Sequence, residues 1–158
     1  MPDLSLSVQY ATPCPELSRS RLRRWMQRAL DQAWERIHPE DRFNGLSATL
    51  RIVDAEEGRS LNQGYREKDY ATNVLTFEYG QDPDGVVHGD IVLCLPVLER
   101  EAAEQGKPLL HHAAHLVVHG TLHSLGYDHI DDEEAQDMEA LETAILAGLR
   151  IPDPYQER

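Results

Sequence analysis

Hydrophobic and polar residues alternate with a period of two in the first third of the chain. The alternating hydrophobic positions are Leu4, Leu6, Val8 and Tyr10, followed later by Leu46, Ala48, Leu50 and Ile52. This period is typical of half-buried β-strands. Two further hydrophobic segments, 73–79 and 86–95, flank a loop rich in turn residues and predict a hairpin. The pattern therefore predicts about four strands.

Helices are predicted between and after these strands. Ser18 is suited to cap the first of them, whose hydrophobic residues recur on one face as far as Ile37. The predicted helices cover residues 18–37, 56–64, 96–106, 109–125 and 131–149. Acidic residues begin the last helix, at the end where the helix dipole favours negative charge.

This order of elements indicates the fold class. It predicts an α+β fold, a single domain over residues 1–158, with a small mixed sheet of about four strands packed with about five helices. The tail, 151–158, contains two prolines and is expected to be loose.

Composition agrees with one folded domain. Of the 158 residues, 41% are hydrophobic and 27% are charged, which is within the globular range. The longest nearly apolar segment, 91–98, contains Pro96 and is far shorter than the roughly 20 residues of a membrane helix. The first residues lack the basic and apolar regions of a signal peptide. Cys14 and Cys94 form no disulfide framework, so we expect a cytoplasmic protein with no membrane partner.

The net charge of −13 argues against a nucleic-acid partner, but its distribution weakens that argument. Thirteen of the 15 basic residues are arginines, and five of them crowd the segment 19–28. Arg21, Arg24 and Arg28 lie on a different face of the predicted helix from its apolar residues. This face is either an RNA-binding surface or an ordinary solvated one.

Histidines are concentrated in one predicted helix and in the turn after it. His111, His115, His119 and His123 recur every four residues and therefore form one stripe. Gly126 can end the helix and turn the chain back, so that His129 joins His119 and His123 around one ion. Three histidine ligands leave a position open, as in catalytic zinc sites. The sequence thus predicts a metal site at the C-terminal end of a long helix.

The ligand spacing alone is also that of the metzincin peptidases. Those enzymes carry a glutamate directly after the first histidine as general base, and this chain has Gly120 at that position. A peptidase without this glutamate has no evident group to activate water.

Three motifs resemble the YbeY family of metal-dependent endoribonucleases. The segment 119–129 reads HGTLHSLGYDH, the segment 61–77 reads LNQGYREKDYATNVLTF, and 89–91 reads GDI. They occur in the family's order, and the chain has the family's length. Departures from the family pattern are Asn73 in place of aspartate, Thr76 in place of serine and Ser124 in place of leucine. The change to Asn73 removes a carboxylate near the expected site.

The resemblance implies which residues act and on what. It implies that His119, His123 and His129 hold one zinc ion, with another divalent metal as the alternative, and that Arg66 is the catalytic residue. A guanidinium can grip two phosphate oxygens as negative charge develops on them. An ion pair of Arg66 with a neighbouring acid is the structural alternative.

The sequence leaves the general base open. His115, Asp128 and Asp90 are candidates for proton transfer or for orienting a ligand histidine. Whether the ion activates water or polarises the scissile phosphate is equally open.

The resemblance also implies a biological role. The expected activity is a zinc-dependent endoribonuclease specific for single-stranded RNA, acting in maturation of the 3′ end of small-subunit ribosomal RNA and in ribosome quality control. Ribosomal particles, a ribosomal protein or a ribosome-associated GTPase are the expected partners. The alternatives are a non-catalytic zinc-binding assembly factor on the ribosome and, less favoured, a metzincin-like peptidase.

Overall fold

The structure, a computed structural model, describes residues 2–68, 70–127 and 131–155, with the side chain of Arg66 outside that description. Four strands form one sheet. They are β1 (Asp3–Tyr10), β2 (Gly45–Val53), β3 (Val74–Gln81) and β4 (Val86–Cys94), in the spatial order β1-β2-β4-β3. β2 pairs in parallel with β1 and β4, whereas β3 pairs antiparallel with β4 as the predicted hairpin. The mixed sheet is thus confirmed.

Five α-helices surround this sheet, as predicted. They are α1 (Arg19–Glu35), α2 (Ala55–Arg66), α3 (Leu95–Glu104), α4 (Leu109–Ser124) and α5 (Asp132–Gly148), and a short 3-10 turn covers Pro39–Asp41. Helices α1, α2, α3 and α4 contact the strands of the sheet, and α5 packs on α1 and α4. Side chains of Ser18, Asp54 and Asp131 accept a backbone hydrogen bond at the starts of α1, α2 and α5. None of the helices in the described part of the chain is long and apolar enough to span a bilayer.

The alternation along β4 divides the core between the two faces of the sheet. Ile91 and Leu93 face the larger cluster, which α1, α4 and α5 complete. Val92 and Cys94 face a smaller cluster together with residues of β2, β3 and α3. Both cysteines are buried and free, as the composition predicted.

Helix α4 occupies the centre of the larger cluster. Its fully buried hydrophobic residues pack in that cluster; they are Ala113, Ala114, Val117, Val118 and Leu122. The chain turns just after α4 at Gly126, which has a φ of +100°, and Tyr127 N–H donates to the carbonyl of Leu122. This is the turn that the sequence predicted. Helix α4 also packs against α5.

Helix α2 is longer than its sequence indicated. Gly64 was expected to end it, but the helix continues to Arg66. Glu67 adopts the left-handed conformation, with a φ of 57°, and its N–H donates to the carbonyls of Asn62 and Gln63. The end of α2 is therefore formed by a non-glycine residue, and Arg66 occupies the last turn.

Candidate metal centre

The histidine stripe of α4 brings two imidazoles close together near the end of the helix. The ring centroids of His119 and His123 are 4.6 Å apart, whereas those of His115 and His119 are 6.2 Å apart. The side chains of His119 and His123 are 22% and 17% exposed. The pair is therefore accessible from solvent while its helix is packed in the core.

Helix α5 adds a buried carboxylate to this stripe. Glu142 has no exposed surface, and its Oε1 lies 2.9 Å from Nδ1 of His119. Its Oε2 lies 2.8 Å from Nε2 of His115 and accepts a hydrogen bond of 2.8 Å from the Tyr155 hydroxyl. His115, His119 and Glu142 lie close enough to hold a metal ion.

The pKa values of Glu142 and Tyr155 are shifted in opposite senses relative to neutral pH, so that the carboxylate is charged and the phenol is neutral. Burial would raise the pKa of Glu142, but the hydrogen bonds from His115 and His119 outweigh it and lower that pKa to about 2. Burial and the neighbouring Glu142 carboxylate raise the pKa of the Tyr155 phenol. Glu142 is therefore ionised and accepts, while Tyr155 is protonated and donates.

The donor set around His119 fits a divalent ion of borderline softness. Because His119 donates from Nδ1 to Glu142, the lone pair of the neutral ring is on Nε2. A carboxylate is one of the common partners for the second nitrogen of a ligand histidine in zinc proteins. The His123 ring lies beside that of His119, and its Nδ1 is 4.0 Å from Oε1 of Glu78.

Three of the predicted site groups lie outside the described residues. They are His129, Asp128 and the side chain of Arg66. The backbone of Arg66 is described, and it lies in the last turn of α2. The roles of all three groups therefore stay predictions.

Asp90 is not brought to the histidines. On β4, a Cβ at Gly89 would lie 2.9 Å from Oγ of Ser124 in α4, so Asp90, the next residue, faces the other side of the sheet. There Asp90 accepts a hydrogen bond of 2.8 Å from the Tyr79 hydroxyl. His115, by contrast, contacts the same carboxylate as His119.

Sequence reasoning missed Glu142, although one signal for it was present. In the sequence, Glu142 is one of several acidic residues of the last helix. Yet it follows Leu141 and lies one turn after Met138 and one turn before Ile145, three residues that are buried. A glutamate on the apolar face of a helix is exceptional unless it has a partner.

Gly120 faces away from the candidate metal centre. A Cβ at this position would lie 3.1 Å from Cγ2 of Ile91 in β4. The position at which metzincins carry their general base thus points into the core, which disfavours the peptidase hypothesis.

A groove of about 560 Å³ borders the centre on the side of α3, and His115 and Tyr155 contribute to its lining. Beside it, His112 is buried and its Nε2 lies 2.9 Å from Oε1 of Glu101. The amide of Asn73 donates to the same Glu101 oxygen at 3.0 Å. An ionised aspartate at position 73 could not donate this hydrogen bond. Asn73, which departs from the family pattern, thus has a specific hydrogen-bond partner in Glu101.

His112 is expected to make stability depend on pH. Burial lowers its pKa, although the hydrogen bond to Glu101 acts in the opposite direction. The folded protein therefore favours neutral His112, so its contribution is complete above the unfolded value near 6.5 and is lost as the pH falls below it. One proton changes the free energy of unfolding by at most about 1.4 kcal/mol per pH unit.

Urea unfolding between pH 7.5 and 5.5 measures this effect. His112→Gln keeps a donor for Glu101 but does not titrate, so its stability should fall less steeply than that of the wild type. Parallel pH curves for the two proteins would contradict the assignment.

Arginines form a second feature, on α1 and at the end of α5. Arg24 and Arg28 line a groove of about 740 Å³ together with Arg23 and Arg150. The Arg28 guanidinium lies over Gly148, 2.4 Å from where a Cβ of that residue would be. Arg21 instead donates to the carbonyl of Glu16, away from this groove. The structure therefore groups two of the three predicted RNA-binding arginines with two others.

The sequence is similar to known proteins over nearly its whole length. Residues 8–150 match the family model described as Endoribonuclease YbeY. Proteins named Endoribonuclease YbeY are 65% identical over 154 residues in Bordetella petrii, 61% over 153 in Bordetella pertussis and 52% over 161 in Paraburkholderia phytofirmans. These alignments cover 97–98% of this chain and 96–98% of each relative.

A solved structure has the same fold. The solution structure of TM1509 from Thermotoga maritima matches with a TM-score of 0.57 at 20% sequence identity. The match covers 96% of this chain and 99% of that one.

Proposed function

Because the chain belongs to the YbeY family of endoribonucleases, we propose that it is a metal-dependent enzyme that cuts single-stranded RNA. We assign the metal to His119, His123 and His129 and favour zinc. The observation that carries the assignment is the pairing of the His119 and His123 imidazoles, 4.6 Å apart and partly exposed. Three imidazoles with an open fourth position suit a catalytic zinc ion.

The chain's own groups divide the remaining work. A divalent ion, when bound, supplies Lewis-acid stabilisation of negative charge on the scissile phosphodiester. Arg66 binds the phosphate oxygens through its guanidinium fork. His119 is held in one tautomer by Glu142, so that its Nε2 lone pair is available to the site without rearrangement.

The test is cleavage of an end-labelled single-stranded ribosomal RNA fragment. Wild-type protein is expected to cut it, to stop cutting on treatment with a chelator and to recover when zinc is restored. The same sequence annealed into a duplex should resist. Cutting that survives chelation would contradict the proposal.

Replacing Arg66 should impair the chemical step. Arg66→Ala is expected to lower the rate of RNA cleavage about a hundredfold, because one preorganised donor to the developing charge is lost. Arg66→Lys keeps the charge but not the two-pronged geometry, so only partial recovery is expected. Zinc content should stay at the wild-type value in both variants. A cleavage rate unchanged in Arg66→Ala would exclude this role.

We further propose that the arginine groove contacts the RNA backbone. Arg24→Glu combined with Arg28→Glu is expected to weaken association with single-stranded RNA. Loss of two phosphate contacts should reduce the slope of log affinity against log salt by about 1.4. Arg19→Glu combined with Arg100→Glu is the matched control, because it changes the charge equally outside the groove. If the groove variant and the wild type bind RNA with equal affinity at low salt, the proposed contact between this groove and RNA is wrong.

The biological substrate we propose is precursor ribosomal RNA at the 3′ end of the small-subunit species, in the cytoplasm, together with defective ribosomes. A protein with a net charge of −13 is poorly suited to select RNA by charge alone. A ribosomal particle, a ribosomal protein or a ribosome-associated GTPase would then supply specificity. The exposed acidic residues at the start of α5 suit a basic ribosomal protein; they are Asp131, Asp132, Glu133, Glu134 and Asp137.

A further inference from the structure

We propose that Glu142 is a positioning residue for the metal centre, which orients His119 through a hydrogen bond and is itself held by His115 and Tyr155. The inference rests on the proposed role of His119 as a metal ligand. It assigns to α5 and to the C-terminal tail a part in building a site whose proposed ligands lie on α4 and directly after it.

Hydrogen bonds occupy both carboxylate oxygens of Glu142. Oε1 lies 2.9 Å from Nδ1 of His119, and Oε2 lies 2.8 Å from Nε2 of His115 and 2.8 Å from the Tyr155 hydroxyl. Distances of this length are those of direct hydrogen bonds to an ionised acceptor. Zinc ligands lie about 2.0–2.2 Å from the ion itself, so an ion between these atoms would need them to move apart. The geometry therefore favours an orienting carboxylate over a ligand.

The three donors and the carboxylate that accepts from them come from three parts of the chain. His115 and His119 project from consecutive turns of α4, Glu142 projects from α5, and Tyr155 lies in the segment after that helix. The Tyr155 ring also packs edge-on against the His115 ring, with centroids 5.3 Å apart. Rotation of Glu142 would break its bonds to His115 and Tyr155 together. Its Oε1 is thus fixed for His119.

Burial of the Glu142 carboxylate is unfavourable for the stability of the fold. A fully buried carboxylate loses its hydration, and imidazole and phenol donors offset that loss only in part unless they are well placed. An apolar side chain at this position, between Met138 and Ile145, would avoid this desolvation penalty. A carboxylate at this position fixes the orientation and tautomer of a ligand histidine, which an apolar side chain cannot do.

The experiment measures zinc affinity by competition with a chromogenic chelator, starting from metal-free protein. Glu142→Ala is expected to bind zinc about 10–100-fold more weakly than wild type, while still taking up one ion at saturation. Glu142→Gln should show a smaller loss of zinc affinity. Its amide oxygen can still accept a hydrogen bond from His119, but its NH2 group cannot accept one from His115 or Tyr155. Tyr155→Phe should also show a small loss, because it removes one donor that holds Glu142.

Glu101→Gln is the matched control, because Glu101 contacts buried His112 of the same helix in the same way. Its zinc affinity should equal that of the wild type. Cobalt substitution gives a second readout: saturated Glu142→Ala should keep the visible absorption bands of the wild-type cobalt protein, since the ligands are unchanged. Thermal unfolding of each metal-free variant checks folding.

Two results would overturn the inference. One is wild-type affinity in a folded Glu142→Gln or Glu142→Ala protein. The other is loss of stoichiometric zinc from Glu142→Ala with retention by His123→Ala, which would make Glu142 a ligand beside His115 and His119. The proposed function is tested separately by RNA cleavage: a wild-type protein that binds zinc but cuts no RNA would refute it and leave the Glu142 result standing.

Discussion

His123→Ala is expected to lower the rate of single-stranded RNA cleavage about 10³-fold and to remove the bound zinc. The imidazole is partly exposed at the end of α4 and adjoins that of His119. Its loss leaves the proposed ion with fewer nitrogen ligands and leaves the transition state without its main electrostatic stabilisation. Because His123 belongs neither to the buried core nor to the Glu142 hydrogen bonds, the free energy of unfolding of the metal-free protein should change little.

The matched control for this variant is His111→Ala. His111 lies on the same stripe, three turns earlier, and should retain both zinc and cleavage. Cleavage rate and zinc content are measured on the same preparations. Equal cutting by wild type and His123→Ala would point to a contaminating nuclease.

Ribosome association separates catalysis from the assembly-factor hypothesis. If His123→Ala still sediments with ribosomal particles, and neither it nor the wild type cuts RNA, the non-catalytic alternative is favoured. Cutting by the wild type alone favours the enzyme. Association of both proteins together with cutting by one would show that the two roles coexist.

Gly120→Glu is expected to destabilise the fold by about 3–5 kcal/mol, the range for an uncompensated buried charge. The substitution introduces the glutamate of metzincin peptidases at its position in their motif. Here that position is buried, and a Cβ would already contact Cγ2 of Ile91 at 3.1 Å. The carboxylate would be directed toward β4 rather than toward the histidines. We therefore expect an unstable protein with no gain of peptidase activity.

Two other substitutions separate the effect of a buried carboxylate at position 120 from that of the added Cβ and from that of a glutamate in a helix. Gly120→Ala should change stability little, because the better helix propensity of alanine, about 1 kcal/mol, offsets a shift of Ile91 by a few tenths of an ångström. Gly64→Glu makes the same change in α2 at an exposed position with open space around the Cβ, and should not destabilise. Urea unfolding compares all three variants, and casein cleavage tests for peptidase activity. A Gly120→Glu protein as stable as wild type would show that this site tolerates charge.

Much of the fold was predictable because local patterns and packing agree. Along β4 the side chains alternate between two cores, so both faces are hydrophobic, and the antiparallel pairing with β3 follows from the turn-rich loop between them. Caps at Ser18 and Asp131 are likewise local, since each side chain bonds a backbone N–H three residues later. The end of α2 was missed because a glutamate adopts the left-handed conformation that glycine usually supplies.

The family, the candidate ligands and the helix that carries most of them could all be identified from the sequence, because they depend on residue types at fixed spacing along one segment. Spacings of four residues place His115, His119 and His123 on one stripe whatever the helix packs against. The groups that surround that stripe depend instead on how the helices pack together. Glu142 lies 23 residues after His119 in sequence and reaches it because α5 packs against α4. The same packing turned Gly120 toward Ile91, because the face of a helix that meets the core is set by its neighbours.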